Sequence, residues 1–311
     1  MSYVMRPSDE QRFERLTQGL VDFDQTIPLL GLGSDAARAS FARQIIDSFH
    51  RVEYVERLGE RAIDPQRADP QSPLFDPLKA AKLHQAQGDI DEAAWLVFMA
   101  THFGFHRRRK WEATQAVYGA LGLEDPWTWL RVTGNPAGFR RWFLDNARGL
   151  EGLPFGNHRK YESLRADAAQ NLADTVASYL AWVGPNRGHA LLFSDAFDAE
   201  GHDPRRAFDR LYQSMDVARF GRTARFDYLT MLGKLGLSPI DPPHPYLENA
   251  TGPLSGSRLL FGGRLDAAIA KPVLRENVIR LGDALGANMQ VMEDSICNWQ
   301  KSPTRYVSFR G

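Results

Sequence analysis

DVARFGRTARFDYLTMLGKLGLSPIDPPHPY, residues 216–246, reads as a tight turn, a helix and an exit loop carrying a carboxylate. The run from Pro204 to Met215 before it places Phe208, Leu211, Tyr212 and Met215 at helical spacing. Gly221 supplies a turn, and Thr223 is expected to cap a second helix with Phe226, Leu229 and Leu232 on its apolar face. Gly233 and Gly236 loosen the end of that helix, and Pro239, Pro242, Pro243 and Pro245 forbid its continuation. A turn that opens a helix aims free N–H groups and positive dipole at one place, which suits a phosphate. Arg219, Arg222 and Arg225 add charge there. The same pattern also fits an ordinary helical hairpin with a solvated basic face.

On these residues the segment resembles the hairpin of the helix-hairpin-helix DNA glycosylases. Phe220-Gly221-Arg222-Thr223-Ala224 stands at the hairpin, and Ile240-Asp241 follows Gly221 by twenty residues, where that group carries its catalytic aspartate. The first hairpin glycine is replaced by Ala218 or Arg219, depending on alignment. Arg222 stands where bifunctional members carry a lysine, so the match implies no Schiff-base step. The resemblance implies that Arg219, Gly221, Arg222 and Thr223 bind DNA and that Asp241 is catalytic.

Outside the hairpin, 311 residues with 43% hydrophobic and 24% charged content describe a globular chain. The formal net charge is zero, so nucleic-acid binding would need a local patch, and a nonspecific DNA coat protein is disfavoured. Cys297 is the single cysteine, excluding an internal disulfide and a thiolate cluster. No signal-peptide or spanning stretch is evident, so the expectation is a cytoplasmic protein with no membrane association. No Walker loop, dinucleotide fingerprint, HExxH or GxSxG motif is present, and no cofactor is expected.

Helical periodicity recurs from Ser8 to Gly19, from Asp35 to about Arg57, and from Ile90 to Phe103, and no strand-type alternation stands out. Residues 252–263 read as a glycine-rich connection, and 62–76 as a Pro- and Asp-rich loop. The expected fold is all-α and helix-hairpin-helix glycosylase-like, with two helical lobes around a DNA- and base-binding cleft. Residues 1–61 would form a helical extension and 62–311 the main domain, its hairpin at about 204–236.

Three further stretches carry candidate chemistry. Asn157, His158, Arg159, Lys160, Tyr161 and Glu162 gather an amide, an imidazole, cations, a phenol and a carboxylate in one loop. Arg107, Arg108, Arg109 and Lys110 form a cationic run between aromatics, suited to phosphates and stacked bases or to plain solvation. His102 and His106 have metal-like spacing, but no third ligand is near in sequence, so no metal is expected. Asp294, Asn298 and Lys301 share one face of the last helix, to line a groove or simply to face water, and Asp227 is a rival carboxylate within the hairpin.

Across most of its length the chain resembles the alpha-glutamyl/putrescinyl thymine pyrophosphorylase group, clade 3. The segments that carry this are GDIDEAAWLVFMATHFG, FGNHRKYESL, FGRTARFDYLTMLGKLGL, ATGPLSGSRLLFGG and MQVMEDSICNWQKS. The resemblance implies action on a modified pyrimidine in DNA, with no obligatory protein partner. The favoured expectation is a monofunctional DNA glycosylase, a hydrolase that flips out and excises a hypermodified pyrimidine, leaves an abasic site and defends against phage. Asp241 would then stabilise the sugar cation, and Asn157, His158, Tyr161 and Glu162 would read the base. The DNA contacts would come from Arg107, Arg108, Arg109, Lys110, Arg159 and Lys160. The alternatives are a transferase exchanging a pyrophosphate on a 5-hydroxymethyl pyrimidine for an amine or amino acid, and a noncatalytic reader of modified DNA.

Overall fold

The structure, a computed structural model, describes residues 7–156, 159–184 and 186–308. Fourteen α-helices are named among them: α1 (Pro7–Asp24), α2 (Asp35–Glu56), α3 (Pro77–Ala86), α4 (Ile90–Phe103), α5 (Glu112–Tyr118), α6 (Trp129–Gly134) and α7 (Pro136–Leu150), then α8 (Leu172–Val183), α9 (Gly188–Ala199), α10 (Pro204–Ser214), α11 (Arg222–Lys234), α12 (Gly252–Gly262), α13 (Lys271–Leu285) and α14 (Met289–Trp299). Among the described residues there is no strand, only an isolated bridge between His106 and Lys110, so the chain is all-α. No helix there is long and apolar enough to cross a membrane.

The chain divides into two compact units, residues 1–54 with 242–310 and residues 55–241. In the first, α1 and α2 share a core with α12, α13 and α14, built on Leu20, Phe41, Ile45, Leu260, Leu281, Met292 and Trp299. The Phe41 and Trp299 rings meet at 5.1 Å. The loop 62–76 lies within the second unit.

Residues 252–262 of the expected glycine-rich connection 252–263 are instead a helix, α12. The glycines are there for close approach: a Cβ on Gly256 would lie 2.6 Å from both the Ile296 side chain and its carbonyl, and one on Gly252 would lie 2.7 Å from Cys297 Sγ. Glycine weakens a helix by about 1 kcal/mol, and here the contact with α14 offsets that cost.

The second unit is organised on α4, which contacts α3, α5, α6, α9 and α11. Its residues Ala93 to Met99 are fully buried, the consequence of a segment apolar on nearly every side. Asp89 caps it by accepting from the Glu92 N–H at 3.1 Å, and Gly104, with φ of 70°, ends it. Asn171 and Asp174 form a reciprocal capping box at the start of α8. Asp203 caps α10, and Pro204 occupies its first turn.

Candidate functional site

Helices α10 and α11 are joined by a pinned turn. Phe220 is buried and packs on Phe98 of α4 at 5.2 Å. Its N–H closes back on the Val217 carbonyl at 3.0 Å. The Ala218 N–H donates to Ser178 Oγ of α8 at 2.9 Å, and Arg225 Nε donates to the Phe220 carbonyl at 3.1 Å. Arg219 has φ of 59°, the left-handed conformation that glycine adopts freely. An arginine there costs about 1 kcal/mol or more, so its side chain must be held by something else.

Thr223 is not the cap. The helix begins at Arg222, with Gly221 as N-cap in an extended conformation and no side-chain cap, so Thr223 already lies in the first turn. The reason is local: an extended Gly221 lets the helix start before Thr223 is reached.

Arg159 and Glu162 are what hold Arg219. Glu162 accepts from Arg219 Nε at 2.9 Å and from its Nη2, while Arg219 Nη2 also donates to the Ser163 carbonyl at 3.1 Å. Arg159 donates from Nε to the His102 carbonyl and from Nη2 to the Arg219 carbonyl, both at 3.0 Å, and stands 3.5 Å from Glu162. The two guanidinium side chains are only 12% and 13% exposed. His102 is fully buried, and burial followed by the charges of Arg159 and Arg219 pushes its pKa well below the usual histidine range. Arg159 Nη2 approaches His102 Nδ1 at 3.4 Å, while His102 Nε2 and Arg219 Nη1 are buried with no hydrogen-bond partner among the described residues.

The cationic run lies in the neighbouring loop. The His106 N–H donates to the Lys110 carbonyl at 3.0 Å and the Lys110 N–H to the His106 carbonyl at 2.7 Å. Arg107 to Lys110 are exposed. Arg109 pairs with Glu112, and Lys110 Nζ sits over the Phe105 ring at 5.2 Å. The base of this loop is locked to the next one. The Gly156 N–H donates to the Phe103 carbonyl at 2.8 Å, and a Cβ on Gly156 would lie 2.3 Å from the Phe105 carbonyl oxygen. The structure thus brings the 159–162 loop and the hairpin turn together around Arg159, and seats the base of the cationic loop against Gly156. Lys160 and Tyr161 face solvent. Asn157 and His158 lie outside the described residues.

Asp241 stands apart from this cluster. Its N–H donates to the Pro204 carbonyl at 3.2 Å, and its carboxylate is 3.8 Å from Arg205 Nε, at the start of α10. The turn follows the other end of that eleven-residue helix, about 16 Å away along its axis at 1.5 Å per residue. Asp241 is half-buried, and desolvation raises its pKa above the ordinary carboxylate range, with Arg205 opposing and Glu56 reinforcing the shift. Arg205 escaped sequence reasoning because thirty-six positions separate it from Asp241 and no motif spans them.

A second polar array was also invisible in the sequence. Asp91 accepts from His189 Nδ1 at 2.9 Å, His189 Nε2 meets the Tyr179 hydroxyl at 2.6 Å, and Tyr179 meets the Tyr228 hydroxyl at 2.8 Å. The four residues come from α4, α9, α8 and α11, and all but Asp91 are fully buried. With Asp91 fixing Nδ1–H, Nε2 accepts from Tyr179. Burial raises the pKa of both tyrosines, keeping them neutral donors that tie α11 to the centre of the unit. Among the described residues no three His, Cys, Asp or Glu side chains gather as metal ligands.

The profile of a family described as alpha-glutamyl/putrescinyl thymine pyrophosphorylase clade 3 matches residues 36–311. No curated protein and no solved structure matches the chain. The family description names chemistry of a transferase type at a pyrophosphate, not hydrolysis of an N-glycosyl bond. It overturns the expectation of a monofunctional DNA glycosylase.

Proposed function

The chain belongs to the alpha-glutamyl/putrescinyl thymine pyrophosphorylase family, clade 3, and from that premise we propose that it is a transferase acting on a modified thymine in DNA. The substrate is a pyrimidine whose 5-methylene carries a pyrophosphate. The bond from that carbon to the pyrophosphate oxygen breaks, and its electron pair leaves with pyrophosphate. The lone pair of an amine or amino-acid nitrogen forms the new C–N bond, and the proton this nitrogen sheds passes to a base. The glycosidic bond is untouched. The observation that carries this reading is the family match over residues 36–311.

The geometry supports a division of labour. The hairpin of α10 and α11, in a helix-hairpin-helix scaffold, anchors the DNA backbone with Lys160, Arg107 and Arg108 and with the uncapped start of α11. Asp241 is the base. Its raised pKa makes its carboxylate a better proton acceptor than an exposed one, and Arg205 stands 3.8 Å from it. Arg205 then lies beside the departing pyrophosphate.

The test is pyrophosphate release from DNA bearing the pyrophosphorylated base, with and without amine. Asp241→Asn is expected to slow release by about a hundredfold or more while DNA affinity stays unchanged. Wild-type activity should fall as pH drops through the raised pKa of Asp241, because the protonated carboxyl accepts nothing. Near-normal release by Asp241→Asn, with collapse in Asp227→Asn or Asp294→Asn, would refute the assignment of the base.

A further inference from the structure

In the second unit, two turns project from one locked base. The first, closed by His106 and Lys110, carries Arg107 and Arg108 at its apex. In the second, the Glu162 N–H donates to the Arg159 carbonyl at 2.8 Å, which puts Lys160 and Tyr161 at the two corners. Corner positions ordinarily go to glycine, asparagine, aspartate or proline, for reasons of backbone geometry. Tyr161 meets none of those needs. It is 87% exposed, contributes nothing to a core, and its ring is met by Lys160 Nζ at 5.0 Å.

The backbone that displays this ring is held at both ends. Arg159 is bonded to the His102 and Arg219 carbonyls, Glu162 to the Arg219 guanidinium, and Leu164 is buried. Beneath it, a Cβ on Gly104 would lie 2.8 Å from the Gly156 carbonyl oxygen, so the bases of the two turns admit no side chain between them. A single exposed ring is ordinary on a protein surface. A ring at the corner of a clamped turn, with a cation over its face and two exposed arginines on the adjoining turn, is a different arrangement.

We infer that Tyr161 is a stacking platform for a nucleobase of single-stranded or locally opened DNA, with Lys160, Arg107 and Arg108 taking the flanking phosphates. The chemistry is complementary: every base offers a π-face to the ring, and the cations replace counterions along the backbone. Stacking of this kind tolerates any base, so the platform holds the strand without reading it. The inference rests on the DNA reading above and not on the transfer chemistry.

A single-stranded oligonucleotide carrying 2-aminopurine, titrated by fluorescence over a range of salt, tests it. Wild-type protein should quench the probe. Tyr161→Ala should lose the quench and bind about tenfold more weakly or worse, with the slope of affinity against salt unchanged. Tyr161→Phe should keep the quench and the affinity. Arg107→Ala with Arg108→Ala should flatten the slope by about 0.7 per lost phosphate contact and keep the quench. Wild-type affinity and quench in Tyr161→Ala would overturn the inference, as would a Tyr161→Phe as weak as Tyr161→Ala. So would a melting temperature lowered by several degrees in Tyr161→Ala, since the ring would then be structural. Pyrophosphate release measured in parallel on the modified DNA registers failure of the transferase reading separately.

Discussion

On α14 in the first unit, Asp294 accepts from Ser48 Oγ at 2.7 Å and Arg51 Nε at 2.8 Å, and Asn298 bridges Asp294 and Lys301. The polar face there is turned into a network joining α14 to α2. In the second unit the cations divide. Arg159 and Arg219 point inward and are consumed by Glu162 and backbone carbonyls, while Lys160, Arg107 and Arg108 point outward from turns built on those inner contacts. The difference teaches that a charged run does not mark a site by itself. The side chains that remain available are those whose neighbours in sequence have been used to fix the backbone.

Glu162→Ala should break this contrast most severely. It strands two nearly buried guanidinium groups and removes the support of the left-handed Arg219, so the unfolding free energy from urea titration should fall by about 3 to 4 kcal/mol. DNA affinity should fall with it, although Glu162 carries the sign of the phosphates. A gain in affinity would mean that Glu162 acts only by repulsion.

A smaller effect is expected at Glu92, another inward carboxylate of the second unit. Burial raises its pKa to about 7, against the opposing hydrogen bonds from the Tyr118 hydroxyl and the Trp129 N–H, both at 2.6 Å. The folded state therefore binds a proton that the unfolded chain releases nearer 4.5. Its contribution is full below that lower value and is lost as pH rises through about 7. Between pH of about 5 and 8, wild type should lose up to about 3 kcal/mol relative to Glu92→Gln. Parallel pH profiles for the two proteins would contradict this. The smallest effect belongs to Asp294→Ala in the first unit, whose carboxylate is a third exposed. It should cost about 1 kcal/mol and leave DNA affinity unchanged, and a loss of affinity there would erase the contrast between the two regions.

What could be read from the sequence was what is local. Helix α4 matches its apolar run from Ile90 to Phe103, and the break between α10 and α11 follows from residues within one short stretch. Helix α12 is not legible locally, because its glycines answer to Ile296 and Cys297, about forty positions later. The inward turn of Arg159 and Arg219 was hidden for the same reason, since Arg219 and its partner Glu162 are separated by fifty-seven residues. The chain from Asp91 to Tyr228 needs four helices to exist. Helical periodicity carried the all-α class, and the resemblance carried the family, while base excision gives way to the pyrophosphorylase that the family description names.

Mass spectrometry of the nucleosides decides the central claim. DNA carrying the pyrophosphorylated 5-hydroxymethyl pyrimidine is incubated with the protein and an amine or amino acid, then digested completely. Transfer predicts a nucleoside heavier by the added amine and lighter by the lost pyrophosphate, with one pyrophosphate released for each and every glycosidic bond intact. Free base and abasic sites, with no substituted nucleoside, would contradict the account.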